Sequence, residues 1–126
     1  MSFDTRSKIV SIEQLRGLLQ SQDAIAFVSS MEVPQAGQLR KLEQCAAGHP
    51  GKLVVILTDP ESPLVPMDAR AEVTAALRVV DYVVPSPAGA GPALAALQPA
   101  LTVHDEEEDR ERTRSLIEHV RSRSRN

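Results

Sequence analysis

The sequence predicts an α/β fold in which helices cover both faces of a mostly parallel sheet of four to five strands. Two observations carry this prediction. Short, uninterrupted apolar runs recur along the chain, as is typical of strands buried on both faces, and segments with helical periodicity separate them. Strands and helices that alternate in this way form right-handed βαβ crossovers. The expected architecture is therefore a three-layer α/β/α fold of the Rossmann-like kind.

The apolar runs predict four strands, and the periodic segments predict five helices. Ser11 and Gln14 have capping-box spacing, which predicts a helix over 12–20. Pro34 suits a first helical turn, and Gly48 suits a left-handed cap at the end of the same helix. The predicted strands cover 24–28, 53–57, 79–84 and 100–103, and the predicted helices cover 12–20, 34–48, 68–78, 92–98 and 106–121.

Two of these helices carry side chains at helical spacing that are expected to face the sheet. In the third helix they are Val73, Ala76, Leu77 and Val80. In the last helix they are Thr113, Leu116, Ile117 and Val120.

The length and composition predict one domain. The 126 residues, 42% of them apolar, are enough for a core that needs neither a disulfide nor a metal. We expect a disordered N-terminal arm over 1–8, the domain over 9–122 and a frayed tail over 123–126. No apolar run approaches the ~18 residues needed to cross a bilayer, and no signal peptide is evident, so we expect a cytoplasmic protein without a membrane partner.

Composition also excludes several classes of function. Three aromatic residues and no Trp argue against base-stacking platforms, and a formal net charge of -3 gives no reason to expect a nucleic-acid partner. Cys45 is the single cysteine and is interpreted as a small buried apolar side chain. The histidines share no metal-ligand spacing, so no metal site is expected; they are His49, His104 and His119.

In a doubly wound sheet, ligands bind beyond the carboxyl ends of the strands, where the strand order reverses. The loop after the first strand is therefore a candidate site. Gly37 could let the backbone approach a phosphate, and the free N–H groups of a helix start favour an anion. A plain strand-to-helix turn with Gly37 packed close to the sheet would explain the same residues. The loop candidates for nucleotide or phosphate binding are Ser29, Ser30, Met31, Gln35, Gly37 and Gln38.

Over about residues 8–103, the sequence resembles the cytidylyltransferase-like branch of the nucleotidyltransferase superfamily. The likeness is to its ADP-heptose synthase and glycerol-3-phosphate cytidylyltransferase members. The most specific segment reads PLVPMDARAEVTAALRVVDYVV, in which a Pro-rich turn precedes an Arg at a helix start and a Val-Asp pair leads into a strand. Arg70, Leu77, Val80 and Asp81 match that pattern. The resemblance implies a nucleotide, sugar phosphate or alcohol phosphate as ligand, with Mg²⁺ if a nucleoside triphosphate binds, and no other cofactor.

The catalytic signature of that family is altered in this chain. The family's Gly-x-Phe-Asp loop and His-x-Gly-His motif align with Ser29, Met31, Glu32, Gln35, Gly37 and Gln38. In the family, the two imidazoles bind the triphosphate while a phosphorylated acceptor displaces pyrophosphate. Gln35 and Gln38 replace both imidazoles and cannot become cationic. Because losing one well-placed donor typically costs ~10²- to 10³-fold in rate, we expect a degenerate active site; its catalytic residues stay unassigned, with Arg70 a further candidate.

Other family features are reduced. The segment after the second strand is shortened to Asp59-Pro60-Glu61-Ser62, and Asp59 is a candidate ligand-binding carboxylate. A block of five acids over 105–109 would repel a triphosphate. The late Ser/Thr motif, which in the family caps the nucleotide phosphates, corresponds to Thr113, with Arg112 and Arg114 beside it.

Structural roles explain several of these residues equally well. Arg70 and Asp81 could form an ion pair, and Asp59 could cap a turn. The acids over 105–109 could be a solvated helix face with ion pairs between residues four apart, or a docking surface for a protein partner. The predicted pairs are Glu106 with Arg110 and Glu108 with Arg112.

Three functional hypotheses follow. The first is a catalytically degenerate nucleotidyltransferase-like domain that still binds a nucleotide or another phosphorylated small molecule. The second is an active nucleotidyltransferase that releases pyrophosphate, using Gln35, Gln38 and Arg70. The third is a structural or protein-interaction module that binds no ligand and could form a homodimer.

Overall fold

A computed structural model describes residues 4–19 and 23–124 of the chain. The strands are β1 (Ala24–Ser29), β2 (Lys52–Leu57), β3 (Tyr82–Pro85) and β4 (Leu101–His104). The helices are α1 (Ile12–Arg16), α2 (Ala36–Ala47), α3 (Met67–Ala75), α4 (Gly91–Leu97) and α5 (Glu106–Ser124), preceded by a 3₁₀ helix over Thr5–Lys8.

The four strands form one parallel sheet in the order β3-β2-β1-β4. This arrangement confirms the predicted α/β class and its Rossmann-like, three-layer architecture. The order runs outward from β1 through β2 to β3, and the chain then returns to place β4 on the other side of β1. The strand order therefore reverses between β1 and β4, and the crevice at their carboxyl ends is where such folds bind ligands.

The alternating side chains of the strands build two apolar cores, one on each face of the sheet. Ile25 and Phe27 of β1 face the core shared with α2 and α3, and Ala26 and Val28 face the core shared with α1 and α4. All six residues of β1 are buried, which explains its uninterrupted apolar sequence.

The helix ends differ in part from the predictions. The capping box at Ser11 and Gln14 is confirmed, with each side chain accepting a hydrogen bond from the backbone N–H of the other residue. The helix it begins ends at Arg16, and Gln20 lies outside the described residues. The predicted left-handed cap at Gly48 is wrong, because Gly48 keeps a right-handed helical backbone at φ -82°.

The predicted inward faces of two helices are also wrong in part. Val73 of α3 is 54% exposed, and the side that faces the sheet carries Arg70 and Thr74 together with two alanines. Apolar spacing cannot predict this face, because the Arg70 guanidinium is buried there against the carbonyls of Ser30 and Thr58. On α5, Leu116 and Val120 are exposed, since polar side chains occupy most of the surface through which this helix contacts the sheet.

Both ends of the described chain are more regular than expected. Residues 5–8, predicted within a disordered arm, form the 3₁₀ helix, and the Lys8 ammonium donates to the Leu77 carbonyl at 3.2 Å. α5 continues to Ser124, into the predicted frayed tail. The rest of the predicted arm and tail, residues 1–3 and 125–126, lie outside the described residues. No helix in the described part of the chain is long and apolar enough to cross a bilayer.

Candidate functional site

The crevice at the carboxyl ends of β1 and β4 contains the predicted loop. Ser29 ends β1, Ser30 follows it, and both are buried. Met31 is buried as well and has a left-handed backbone, with φ 53°. A residue other than glycine adopts this backbone conformation only when the surrounding structure stabilises it, so the packing around Met31 imposes the conformation of the loop.

Gln38 lies in the first turn of α2 and points into this crevice. It is 1% exposed, and its Nε2 donates to Ser29 Oγ at 3.0 Å, Asp105 Oδ2 at 2.6 Å and Asp109 Oδ1 at 2.9 Å. Because an amide nitrogen carries only two hydrogens, three acceptors share them. The Gln38 Oε1 atom is buried and has no partner among the described residues.

The other motif glutamine is placed differently. Gln35 is exposed at the N-cap of α2, and its side chain makes no capping hydrogen bond. It lines a shallow recess with Glu108 and Arg112, outside the crevice in which Gln38 is buried. The structure therefore does not bring the two glutamines together around one cavity.

Two carboxylates and two cations enclose the Gln38 amide. Asp105 is 1% exposed and accepts from Lys41 Nζ at 2.8 Å and from Arg112 Nη2 at 2.6 Å. The same Arg112 Nη2 contacts Asp109 Oδ1 at 2.5 Å. Burial alone would raise the pKa of Asp105, but hydrogen bonds from Lys41, Arg112 and Gln38 outweigh it, so the pKa lies below its ordinary value.

The cations respond to the same contacts. The hydrogen bond to Asp105, with a further one to Glu108, raises the pKa of Lys41. Burial would lower the pKa of Arg112, yet hydrogen bonds to Asp109 and Asp105 raise it overall. These shifts favour the ionised forms of Lys41, Asp105 and Arg112.

The acidic block over 105–109 is thus not simply a solvated helix face. Asp105 and Asp109 are buried, because α5 starts directly against the end of β1. The predicted pair of Glu108 with Arg112 is confirmed, with 3.8 Å between their charged atoms. Glu106 instead contacts His104, at 3.2 Å between Oε1 and Nδ1.

Arg70 connects the loops that follow β1 and β2. It is 2% exposed and donates to the carbonyls of Val65, Ser30 and Thr58, each at 2.9 Å, and it pairs with Asp59. Most of its hydrogen-bonding capacity is therefore used within the protein.

The suggested ion pair of Arg70 with Asp81 is wrong. Arg70 pairs with Asp59 from the neighbouring loop, which lies beside the guanidinium at the carboxyl edge of the sheet. Asp81 accepts the backbone N–H of Leu53 at 2.8 Å, close to the amino end of β2.

Glu32 stabilises the same region from the other side. This carboxylate, at the position that aligns with the family's Asp, is 7% exposed and accepts the backbone N–H of Leu64 at 3.0 Å. Gly37, in contrast, is exposed, and a Cβ added there would meet nothing within 4 Å. Gly37 therefore does not pack against the sheet, which corrects the alternative interpretation of this residue.

An open cavity of about 340 Å³ lies beside the crevice, between α5 and the segments after β1 and β2. Three of the predicted binding residues line it, namely Ser30, Asp59 and Thr113. The other six predicted residues do not line it; they are Ser29, Met31, Gln35, Gly37, Gln38 and Arg70.

The cations of this cavity all come from α5. Arg110, Arg114 and Arg121 lie on one side of the helix, at positions i, i+4 and i+11. Arg114 contacts Glu111 at 3.3 Å, whereas Arg110 makes no hydrogen bond or ion pair with the residues that the structure describes. The opposite wall contributes hydroxyl groups and carboxylates from Thr58, Asp59, Glu61 and Ser62. α5 itself also contributes the carboxylates of Glu106, Asp109 and Glu118.

The sequence predicts Arg110 only as the partner of Glu106 in a helix ion pair. The repeat of arginine four residues later, on a helix that begins at the reversal point of the sheet, was the signal for its place in the cavity. Among the residues described, no three or more His, Cys, Asp or Glu side chains are grouped so as to hold a metal ion. No protein-family model matches this chain, and no curated protein matches it.

Proposed function

We propose that this chain is a catalytically degenerate, nucleotidyltransferase-like domain that binds a phosphorylated small molecule in the cavity beside α5. One observation carries the proposal. Gln38 occupies a position that the sequence resemblance assigns to a catalytic histidine, and its amide is buried against Ser29, Asp105 and Asp109.

This environment opposes nucleotidyl transfer. A residue that stabilises a transferring phosphoryl group must present a free donor or a positive charge to it. Both hydrogens of the Gln38 amide are used, and two carboxylates lie within hydrogen-bonding distance of it. With both carboxylates in place, like charges would repel a triphosphate from this point. Arg70, the other catalytic candidate, is buried and engaged with backbone carbonyls.

The adjacent cavity supports binding of a smaller phosphorylated molecule. Arginine binds phosphate through directed, charge-assisted hydrogen bonds. Arg110 and Arg114 face the space from α5, while the hydroxyls of Ser30 and Thr113 line its walls. Carboxylates such as Asp59 and Glu61 accept hydrogen bonds from hydroxyl groups, which suits a sugar or another polyol. If the ligand is a nucleoside triphosphate, Mg²⁺ would accompany it.

Thermal-shift measurements test the binding. We expect nucleotides, sugar phosphates or alcohol phosphates to raise the Tm of the protein in a concentration-dependent way. Arg110→Ala should weaken that response, because it removes an arginine from the cavity wall. Arg40→Ala, on the exposed side of α2, is the matched control and should behave like the parent protein. A Tm that no nucleotide, sugar phosphate or alcohol phosphate changes would favour the interaction module instead.

A pyrophosphate assay tests the loss of catalysis. The protein is incubated with each nucleoside triphosphate, Mg²⁺ and candidate sugar or alcohol phosphates. We expect pyrophosphate release at background level. Turnover at ordinary enzyme rates would contradict the proposal and support an active nucleotidyltransferase, for which the double variant Gln35→His/Gln38→His should then lose activity.

A further inference from the structure

The Asp109 carboxylate is surrounded by hydrogen-bond donors from four residues. Its Oδ2 accepts from the Ser29 hydroxyl and, at 2.7 Å, from the Ser30 backbone N–H. Its Oδ1 accepts from Gln38 Nε2 at 2.9 Å and from Arg112 Nη2 at 2.5 Å. Asp109 is 3% exposed, so these donors replace its water shell almost completely.

Most of these donors do not belong to the helix that carries Asp109. Ser29 and Ser30 lie at the end of β1, and Gln38 lies on α2. A hydroxyl, a backbone N–H, an amide and a guanidinium are also the groups with which proteins bind small oxyanions. The end of β1 therefore has the donor set of an anion site, and α5 supplies the anion.

The two cations near Asp109 are shared with two other carboxylates. Lys41 and Arg112 together face the buried Asp105, and the half-exposed Glu108 also reaches Lys41. Without Asp109, the carboxylates of Asp105 and Glu108 would still balance these two cations, so the case for an anion site rests on the donors around Asp109. The position of Asp109 is reachable from solvent, because Ser30 and Asp109 both line the cavity beside α5.

We propose that the donors at the carboxyl end of β1 form an anion-binding site that Asp109 fills from within the chain. α5 then acts as an autoinhibitory lid, and the phosphate or carboxylate group of a ligand enters this site by displacing Asp109. The displacement by a ligand rests on the proposed binding function, whereas the anion site itself does not.

Asp109→Ala tests the site directly, because it removes the internal carboxylate and leaves the donors in place. The probes are inorganic phosphate and acetate, with sodium chloride at matched ionic strength as the control for screening. We expect the variant to melt at a lower temperature than the parent and to regain Tm as phosphate or acetate is added. Neither probe should raise the Tm of the parent protein by a comparable amount.

Two further variants make the result specific. Glu107→Ala removes an exposed acid from the same turn of α5 and should respond to the probes as the parent does. Adding Ser29→Ala to Asp109→Ala removes one donor and should weaken the recovery severalfold. The proposal would be overturned if the probes raised the Tm of Asp109→Ala and of the double variant Ser29→Ala/Asp109→Ala equally. It would also be overturned if sodium chloride raised the Tm of Asp109→Ala as much as phosphate or acetate does.

A folding defect does not remove the test. If Asp109→Ala does not fold, Asp109→Ser is used instead, because it also removes the carboxylate but keeps a small polar side chain. The refolding yield, measured by circular dichroism, then replaces Tm as the readout. Recovery only with phosphate or acetate supports the site, and no recovery with either probe overturns it. Failure of the proposed function would look different: the parent would bind no phosphorylated compound, while Asp109→Ala would still respond to inorganic phosphate.

Discussion

Single buried polar residues fix the positions of the loops at the carboxyl edge of the sheet through hydrogen bonds. Arg70 is the largest of them and joins the segments after β1 and β2 through three backbone carbonyls and Asp59. The sequence drew attention to Arg70 and Gln38 through the family pattern. Most of their partners could not be predicted, because Ser30, Asp105 and Asp109 are distant from them along the chain and meet them only after folding.

Arg70→Met tests the structural role of the guanidinium. The variant keeps an unbranched side chain about as long as the arginine stem but removes the guanidinium that donates to three carbonyls and pairs with Asp59. Breaking such a buried arrangement should lower the free energy of unfolding by about 3 kcal/mol, measured by urea denaturation. Arg40→Met is the exposed control and should change it by less than about 0.5 kcal/mol. Equal effects of the two variants would show that Arg70 contributes little.

Asp105 should make the protein sensitive to acid. Its pKa is lower in the folded protein than the ordinary value of 3.8, so the unfolded chain takes up this proton first as the pH falls. The contribution to stability is therefore complete above that value and is lost as the pH falls through the folded pKa.

Unfolding free energies measured from about pH 6 to about pH 2 should fall less steeply for Asp105→Asn than for the parent protein. Glu43→Gln, an exposed substitution on α2, serves as the control and should keep the parent's slope. Parallel curves for Asp105→Asn and the parent would exclude this source of acid sensitivity.

Two glycines are expected to respond oppositely to alanine. A Cβ at Gly51 would lie 2.8 Å from the Asp23 carbonyl carbon, where the segments before β1 and β2 come closest. Gly51→Ala should therefore cost more than about 1 kcal/mol. At Gly37 the space is open and the residue is helical, so Gly37→Ala should be neutral or stabilising by about 0.5 kcal/mol. Urea denaturation of both variants measures the contrast.

At the scale of elements, every predicted strand and helix exists, with ends shifted by a few residues. The strands were accessible because a buried parallel strand needs an unbroken apolar run, as β1 and β2 have. The buried faces of α3 and α5 could not be predicted in this way, because they carry the charged residues Arg70 and Asp109. Hydrophobic periodicity cannot reveal a helix that packs through charged groups, since such groups are usually placed in solvent.

The helices should therefore differ in how much an apolar truncation costs. Leu42 of α2 is fully buried against the sheet, and Leu42→Ala should lower the free energy of unfolding by about 3 kcal/mol. Val120 of α5 is 57% exposed, and Val120→Ala should change it by less than about 0.5 kcal/mol. If Val120→Ala lowered the free energy of unfolding strongly, and more so at higher protein concentration, this would instead indicate that a second molecule covers this side chain.

At the scale of the whole molecule, the strand order decides where a site can form. The reversal between β1 and β4 creates one crevice, and the sequence located it through the alternation of elements. What occupies the crevice could not be read in advance. It depends on α5 lying against the end of β1, which brings residues 29–38 together with residues 105–112.

The same order has a consequence for synthesis on the ribosome. β1, β2 and β3 can pair as soon as they emerge, but the other edge of β1 waits for β4, more than seventy residues later in the chain. Until then an apolar strand, buried on both faces when folding is complete, has an open row of backbone N–H and C=O groups. A chain truncated after α4 should therefore aggregate on expression, whereas the full chain should not, as light scattering of the two lysates would show.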